Sequence, residues 1–284
     1  MNRYLFVAWL LLASAAGRGQ NVQPPTAIDR AFNRIYNLDF AGAHAIIDEQ
    51  IRIHPEDPLL RSVRAAACLF AEYDRLKILE FDFFADDNRV TDKKRGKPDP
   101  AVRAQIFAVT AEARKLAAVR LAANPQDRDA MFAMCMAAGV ETDYTSLVEK
   151  KYFRSISLSK ESQKYAHKLL ALNPPFYDAY LTLGAVEYAV GSMNFFFRLF
   201  IRFDKIEGSK QKGIENLKTV VAGGRYYPPF AKMLLSVIYL REKKLQPALD
   251  LLKEVERDFP ENQLFKKEVA WISGEISRTK KKTP

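Results

Sequence analysis

"PFAKMLLSVIYLREKKLQPALDLLKEVERDFPEN" occupies residues 229–262, and its apolar residues return every three or four positions on either side of the charged turn REKK. That period belongs to helices rather than strands. Leu235 and Tyr239 share a face of the first helix, Ala248 and Leu252 share a face of the second, and Pro260 ends the pair. A small residue such as Ala248 lets the second helix approach the first closely, while Leu235, Tyr239 and Leu252 fill the space between neighbours.

The same stop recurs along the chain. "IRIHPEDPLL" at Pro55, "LAANPQDRDAMF" at Pro125 and "LALNPPFYDAYL" at Pro174 each end one apolar run and begin another, as "RDFPENQLF" does at Pro260. Proline cannot continue a helix but suits the turn or first turn after it, so all four mark one kind of joint. Runs of about 10 to 15 residues between turn signals make the whole chain all-α.

Residues 229–262 resemble the 34-residue tetratricopeptide repeat, which places large residues and a tyrosine on its first helix and a small residue on its second. Lys232 stands where that repeat has an aromatic, and Ser236 where it has glycine. A second match starts at Tyr177, with Tyr180, Leu183 and Gly184 in place and Tyr188 one residue late. Second helices are matched at Ala43, Ile47 and Pro55, and again at Ala113, Ala117 and Pro125. The resemblance implies a right-handed helical-repeat solenoid over residues 20–275, whose concave surface binds a partner. It also implies a protein-binding scaffold without catalysis. On such first helices, Asp178, Leu181, Tyr188, Met233 and Arg241 are the candidate partner-binding residues.

The strict repeats at Tyr177 and Pro229 begin 52 residues apart, one repeat length and a surplus of 18. "KGIENLKTVVAGG", residues 212–224, supplies the missing second helix, with Gly213 at the small position. The surplus is then 192–209, which holds "GSMNFFFRLFIRF" from Gly191 to Phe203. As a helix, it sets Arg198, Arg202 and Lys205 in one basic stripe beside Phe196 and Phe200. Three readings stay open: a helix buried against the solenoid, a partner site of aromatic and arginine anchors, or an interfacial membrane helix. Gly191 and Ser192 are expected to form the turn that precedes it. The order of motifs from residue 141 to 244 also resembles bacterial exported repeat proteins. More distantly, it resembles eukaryotic repeat proteins of mitochondrial outer membranes and inclusion clearance, from which no ligand residues carry over.

The chain has 284 residues, 48% hydrophobic and 27% charged, which is ample for a sizeable core. Residues 1–19, "MNRYLFVAWLLLASAAGRG", follow the layout of a secretory signal peptide, with cleavage expected after Ala16 or Gly19. No cysteine lies near either point to take a lipid. Export to the periplasm or beyond is the expectation. Loss of Arg3 and Arg18 would lower the formal net charge from +10 to +8, an excess that suits an acidic partner or an anionic membrane surface. The lysines are spread out, with clusters only at Lys93 to Lys97 and in a basic tail, 276–284, so nucleic acid is not an expected partner.

Motifs for chemistry are absent. No phosphate-binding glycine loop, nucleophile elbow or paired-histidine motif occurs, and His44, His54 and His167 are scattered. No catalytic, cofactor or metal residue is therefore assigned. The acidic cluster Glu80, Asp82, Asp86 and Asp87 reads as a helix end before a mobile loop near 86–100. "DYTSLVEKKYF", residues 143–153, is either a locally packed turn or a concave-face contact. Cys68 and Cys135 lie in apolar helical runs as core thiols, with a disulfide possible only if those helices meet.

Overall fold

A computed structural model describes residues 24–81, 96–192 and 208–282, with side chains as far as 279. The signal-peptide reading of residues 1–19 lies outside the described residues, as do Asp82, Asp86, Asp87, Phe196, Arg198, Phe200 and Arg202. The described residues form eleven α-helices and no strand. These are α1 (Ala27–Tyr36), α2 (Phe40–Ile53), α3 (Pro58–Arg75), α4 (Pro100–Ala123), α5 (Arg128–Asp143) and α6 (Tyr152–Leu172). They continue as α7 (Tyr180–Ser192), α8 (Lys210–Gly223), α9 (Pro228–Arg241), α10 (Leu245–Asp258) and α11 (Gln263–Lys282).

Two kinds of joint recur along the described chain. At Pro55, Pro125, Pro174 and Pro260 a four-residue turn closes by the same bond, the fourth amide donating to the first carbonyl: Asp57 to His54, Asp127 to Asn124, Phe176 to Asn173 and Asn262 to Phe259, all at 2.9–3.1 Å. In three of the four the fourth residue also caps the next helix, Asp57 accepting from Leu59, Asp127 from Ala130 and Asn262 from Leu264. The other joint turns through one residue of positive φ: Leu38 (61°), Lys77 (58°), Lys150 (57°) or Lys243 (58°). After Leu38, Lys77 and Lys243 the next amide reaches back five residues, Asp39 to Arg34, Ile78 to Tyr73 and Lys244 to Tyr239. This is the hydrogen-bond pattern of a Schellman stop.

These joints and the helix contacts divide the helices into pairs, α1–α2, α3–α4, α5–α6, α7–α8 and α9–α10, with α11 following the last. Small residues stand at the tightest approaches. Ala43, Ala113, Ala166 and Ala248 are fully buried on second helices. In α7–α8 the contact is closer still: a Cβ on Gly213 would lie 2.6 Å from the Tyr188 amide nitrogen and 2.8 Å from the Gly184 carbonyl oxygen. Only glycine permits that crossing.

Three boundaries differ from the sequence expectation. Gly191 and Ser192 are helical, the last described residues of α7, rather than a turn. Pro100 already opens α4 under the Asp99 cap, and residues 97–99 are held in place: Glu72 accepts the Asp99 amide at 3.1 Å while Arg75 donates to the Lys97 carbonyl at 2.9 Å. The tail from 276 is helical through Lys282, continuous with α11.

Helix α1 meets the C-terminal helices. Arg225 grips Asp29 with two bonds of 2.8 and 3.0 Å, the Tyr36 hydroxyl donates to the Tyr226 carbonyl, and Lys267 pairs with Glu80. Phe32 stacks on Tyr226 at 5.4 Å and Tyr36 packs on Phe259 at 5.2 Å. Aromatic pairs of this kind stabilise by about 0.5–1.5 kcal/mol beyond their buried area. Helix α1 therefore closes onto the α9–α11 region, and one main core joins the N- and C-terminal helices.

Candidate functional site

Pairing and closure leave a cavity of about 450 Å³ in the middle of the molecule. Every first helix contributes to its wall: Phe32 from α1, Phe70 and Tyr73 from α3, Cys135 and Met136 from α5, Leu181 and Val190 from α7, Phe230 and Met233 from α9. Among second helices only α6 reaches it, through Tyr152, Ser155, Ile156, Ser159 and Ser162. The wall is overwhelmingly apolar, in the size range of small-molecule sites.

The reason lies in the first helices themselves. Helix α5, "RDAMFAMCMAAGVETD", buries Met131 through Ala138 without a polar interruption, and α7 is comparably apolar. A helix as uniform as α5 has little polar surface to turn toward solvent. One side packs on the partner helix and the other borders the cavity.

A few polar groups punctuate the wall. Ser162 donates to the Cys135 carbonyl at 2.9 Å and meets Thr182 at 3.1 Å, joining α5, α6 and α7. Burial pushes the Cys135 thiol up and the Cys68 thiol to about 11, so both stay protonated. Both are free, which leaves the possible disulfide unformed. At the end of α5 the helix widens into a π-turn, Tyr144–Val148, where Glu149 donates back to Tyr144. Such turns are frequent at functional sites. This one carries Asp143, Ser146 and Leu147 onto the cavity wall.

Asp143 is the polar feature that sequence reading passed over. Its carboxylate has no hydrogen-bond or ion-pair partner among the described residues, and burial alone pushes it up to about 7. The Tyr73 hydroxyl is buried and equally unpartnered among the described residues, and its pKa is raised well above the usual tyrosine value by burial first and by the Asp143 charge second. The apolar run of α5 that leads into residues 143–153 is the sequence signal for an acid held against apolar surroundings.

The five candidate partner residues divide. Leu181 and Met233 border the cavity. Asp178 borders it too, but its two oxygens accept the amides of Arg225, Tyr226 and Tyr227 at 2.9–3.1 Å. Those bonds fix the one inter-pair joint that lacks a proline turn, so Asp178 is a structural staple. Tyr188 packs beside Gly213 in the α7–α8 seam, and Arg241 is exposed at the end of α9; neither borders the cavity. The side chains at Phe196, Arg198, Phe200 and Arg202 fall outside the described residues.

No helix among the described residues is long and apolar enough to cross a membrane, and no group of three His, Cys, Asp or Glu residues among them is placed to hold a metal ion. Comparison with protein-family models matches none of them to this chain. Comparison with curated proteins also returns no match.

Proposed function

We propose that this chain is a non-enzymatic binding scaffold, built as a tetratricopeptide-like solenoid of helix pairs, whose internal cavity takes an apolar guest. The carrying observation is that all five first helices line one apolar cavity. In a helical-repeat array the first helices face the inner surface, where partners bind. The recurring joints and the small residues on the second helices support the same architecture.

The guest sits within the closed array rather than along an open strip from Asp178 to Arg241. Leu181 and Met233 are the binding residues retained from that strip. An export address rests on residues 1–19 alone, and a membrane-docking role rests on residues 196–202.

Uptake of the neutral fluorescent probe N-phenyl-1-naphthylamine tests the reading. Saturable uptake by the wild type is expected, with strong reduction in Ala185→Trp, which fills the cavity from α7. A folded Ala185→Trp variant that takes up the probe as well as wild type, or a wild type without saturable uptake, would remove the proposal.

A further inference from the structure

The cavity wall has a charge bias that its apolar character conceals. Among the described residues that line the cavity there is no lysine, arginine or histidine, while two aspartates are present. Asp178 is committed to three backbone amides. Asp143 is committed to nothing among the described residues. Beside its field stands the Tyr73 hydroxyl, on a residue only 3% exposed and without a partner.

A buried carboxyl without a partner is costly when ionised, and an opposite charge with a hydrogen bond offsets that cost. A buried hydroxyl left unpaired likewise forgoes a hydrogen bond that an entering polar group can supply. Among the described residues of this wall, an anionic head group would meet only acidic side-chain charge. A cationic head group that donates hydrogen bonds would satisfy Asp143 and Tyr73 together, while its hydrocarbon occupied the apolar remainder. This argument rests on the cavity being the binding site, as proposed above.

We propose that the cavity selects a single-chain cationic amphiphile, an aliphatic body ending in a protonated primary amine that donates to the Asp143 carboxylate and reaches the Tyr73 hydroxyl. The π-turn after α5 sets the polar end of the site, and α7 and α9 supply the walls for the chain. Nothing covalent is required of the protein.

The test compares ligands of one chain length and three head groups. Dodecylammonium, dodecanol and dodecanoate, each below its micelle concentration, are titrated into the full chain by calorimetry and by displacement of N-phenyl-1-naphthylamine. Dodecylammonium should bind about tenfold or more tighter than the other two, in keeping with a charged hydrogen bond. Asp143→Asn should erase that preference, leaving dodecylammonium no tighter than dodecanol in the same variant, and Tyr73→Phe should reduce the preference in part.

Equal affinity for the three head groups, tighter binding of dodecanoate, or a preference that survives Asp143→Asn would each overturn the inference. So would a leucine-rich peptide with a single lysine that outcompetes dodecylammonium, because it would place a protein segment in the site. Uptake of the neutral probe with no head-group preference leaves the cavity reading standing and removes this one. Absence of all uptake removes both.

Discussion

The carbonyl oxygen of Tyr36 accepts a 2.8 Å hydrogen bond from the Asn262 side-chain amide, across 226 residues of sequence. The same Asn262 uses its side-chain oxygen to accept the Leu264 amide at 2.9 Å and so starts α11. Buried to 2% exposure, one side chain ties the first helix to the last joint.

Asn262→Ala should cost about 2–3 kcal/mol, a cap and a buried hydrogen bond together, measured by urea unfolding. Asn262→Asp keeps the cap but sets a carboxylate against the Tyr36 carbonyl. It should be no less destabilising than alanine at pH 7. A mild Asp variant would mean that the closing bond contributes little.

The exposed part of the closure should behave differently. Arg225 and Asp29 have side chains 50% and 21% exposed. Arg225→Gln, which leaves the Thr26–Asp29 capping box in place, should therefore cost under about 1 kcal/mol, falling further in high salt. Unfolding at two salt concentrations checks this, and a large salt-independent loss would contradict it.

Gly213→Ala sets two effects against each other. Alanine improves helix propensity by up to about 1 kcal/mol, but its Cβ would lie 2.6 Å from the Tyr188 amide nitrogen, where backbone must move. Overpacking of this kind costs about 1–3 kcal/mol, so a net loss is expected. A thermal melt equal to or above wild type would show that α8 can slide away from α7 at little cost.

Asp143 predicts a pH dependence of known sign. Its carboxyl releases a proton near pH 4 in the unfolded chain and at about 7 when folded. Between those values the native state holds the extra proton, so this group's contribution to stability falls as pH rises from about 4 to 7 and stays low above. Tyr73 and Tyr227, which feel its charge, are pushed well above the usual tyrosine range and remain neutral throughout. Asp143→Asn should raise stability at pH 8 by roughly 1–3 kcal/mol and change it little at pH 4. Denaturant titrations at the two pH values decide it.

Asp178 separates a structural role from a binding role. With three main-chain donors on one carboxylate, Asp178→Asn presents an amide nitrogen to amides and should lose about 2–3 kcal/mol. At a temperature where the variant is still folded, uptake of the neutral probe should be unchanged. Normal stability with lost uptake would restore Asp178 as a binding residue.

The helix pairs were legible because their signals are local. Proline stops and small residues such as Ala43 and Ala248 act within a few turns of helix, and the joints at Pro55, Pro125, Pro174 and Pro260 all stand where the sequence puts them. Closure was not legible. Nothing in the neighbourhood of Tyr36 announces Asn262, since each satisfies local rules as well. Nor did Asp178 disclose its three amides, which come from a joint almost fifty residues later. The cavity was half visible: the apolar first helices could be read from the sequence, but an unpartnered Asp143 becomes conspicuous only when the folded chain sets it on a mostly apolar wall.

The meeting of Gly191 and Gly208 carries a further meaning. A Cβ on Gly208 would lie 2.6 Å from the Gly191 nitrogen, and one on Gly191 would lie 2.6 Å from the Lys210 nitrogen. The chain thus departs and re-enters through a single gate, and α7 and α8 are sealed to one another just inside it. Val190, on the wall of the cavity, lies against Gly208 at the same point. Two glycines in contact there leave no room for a side chain, so alanine at Gly191 or Gly208 would push the end of α7 and the start of α8 apart.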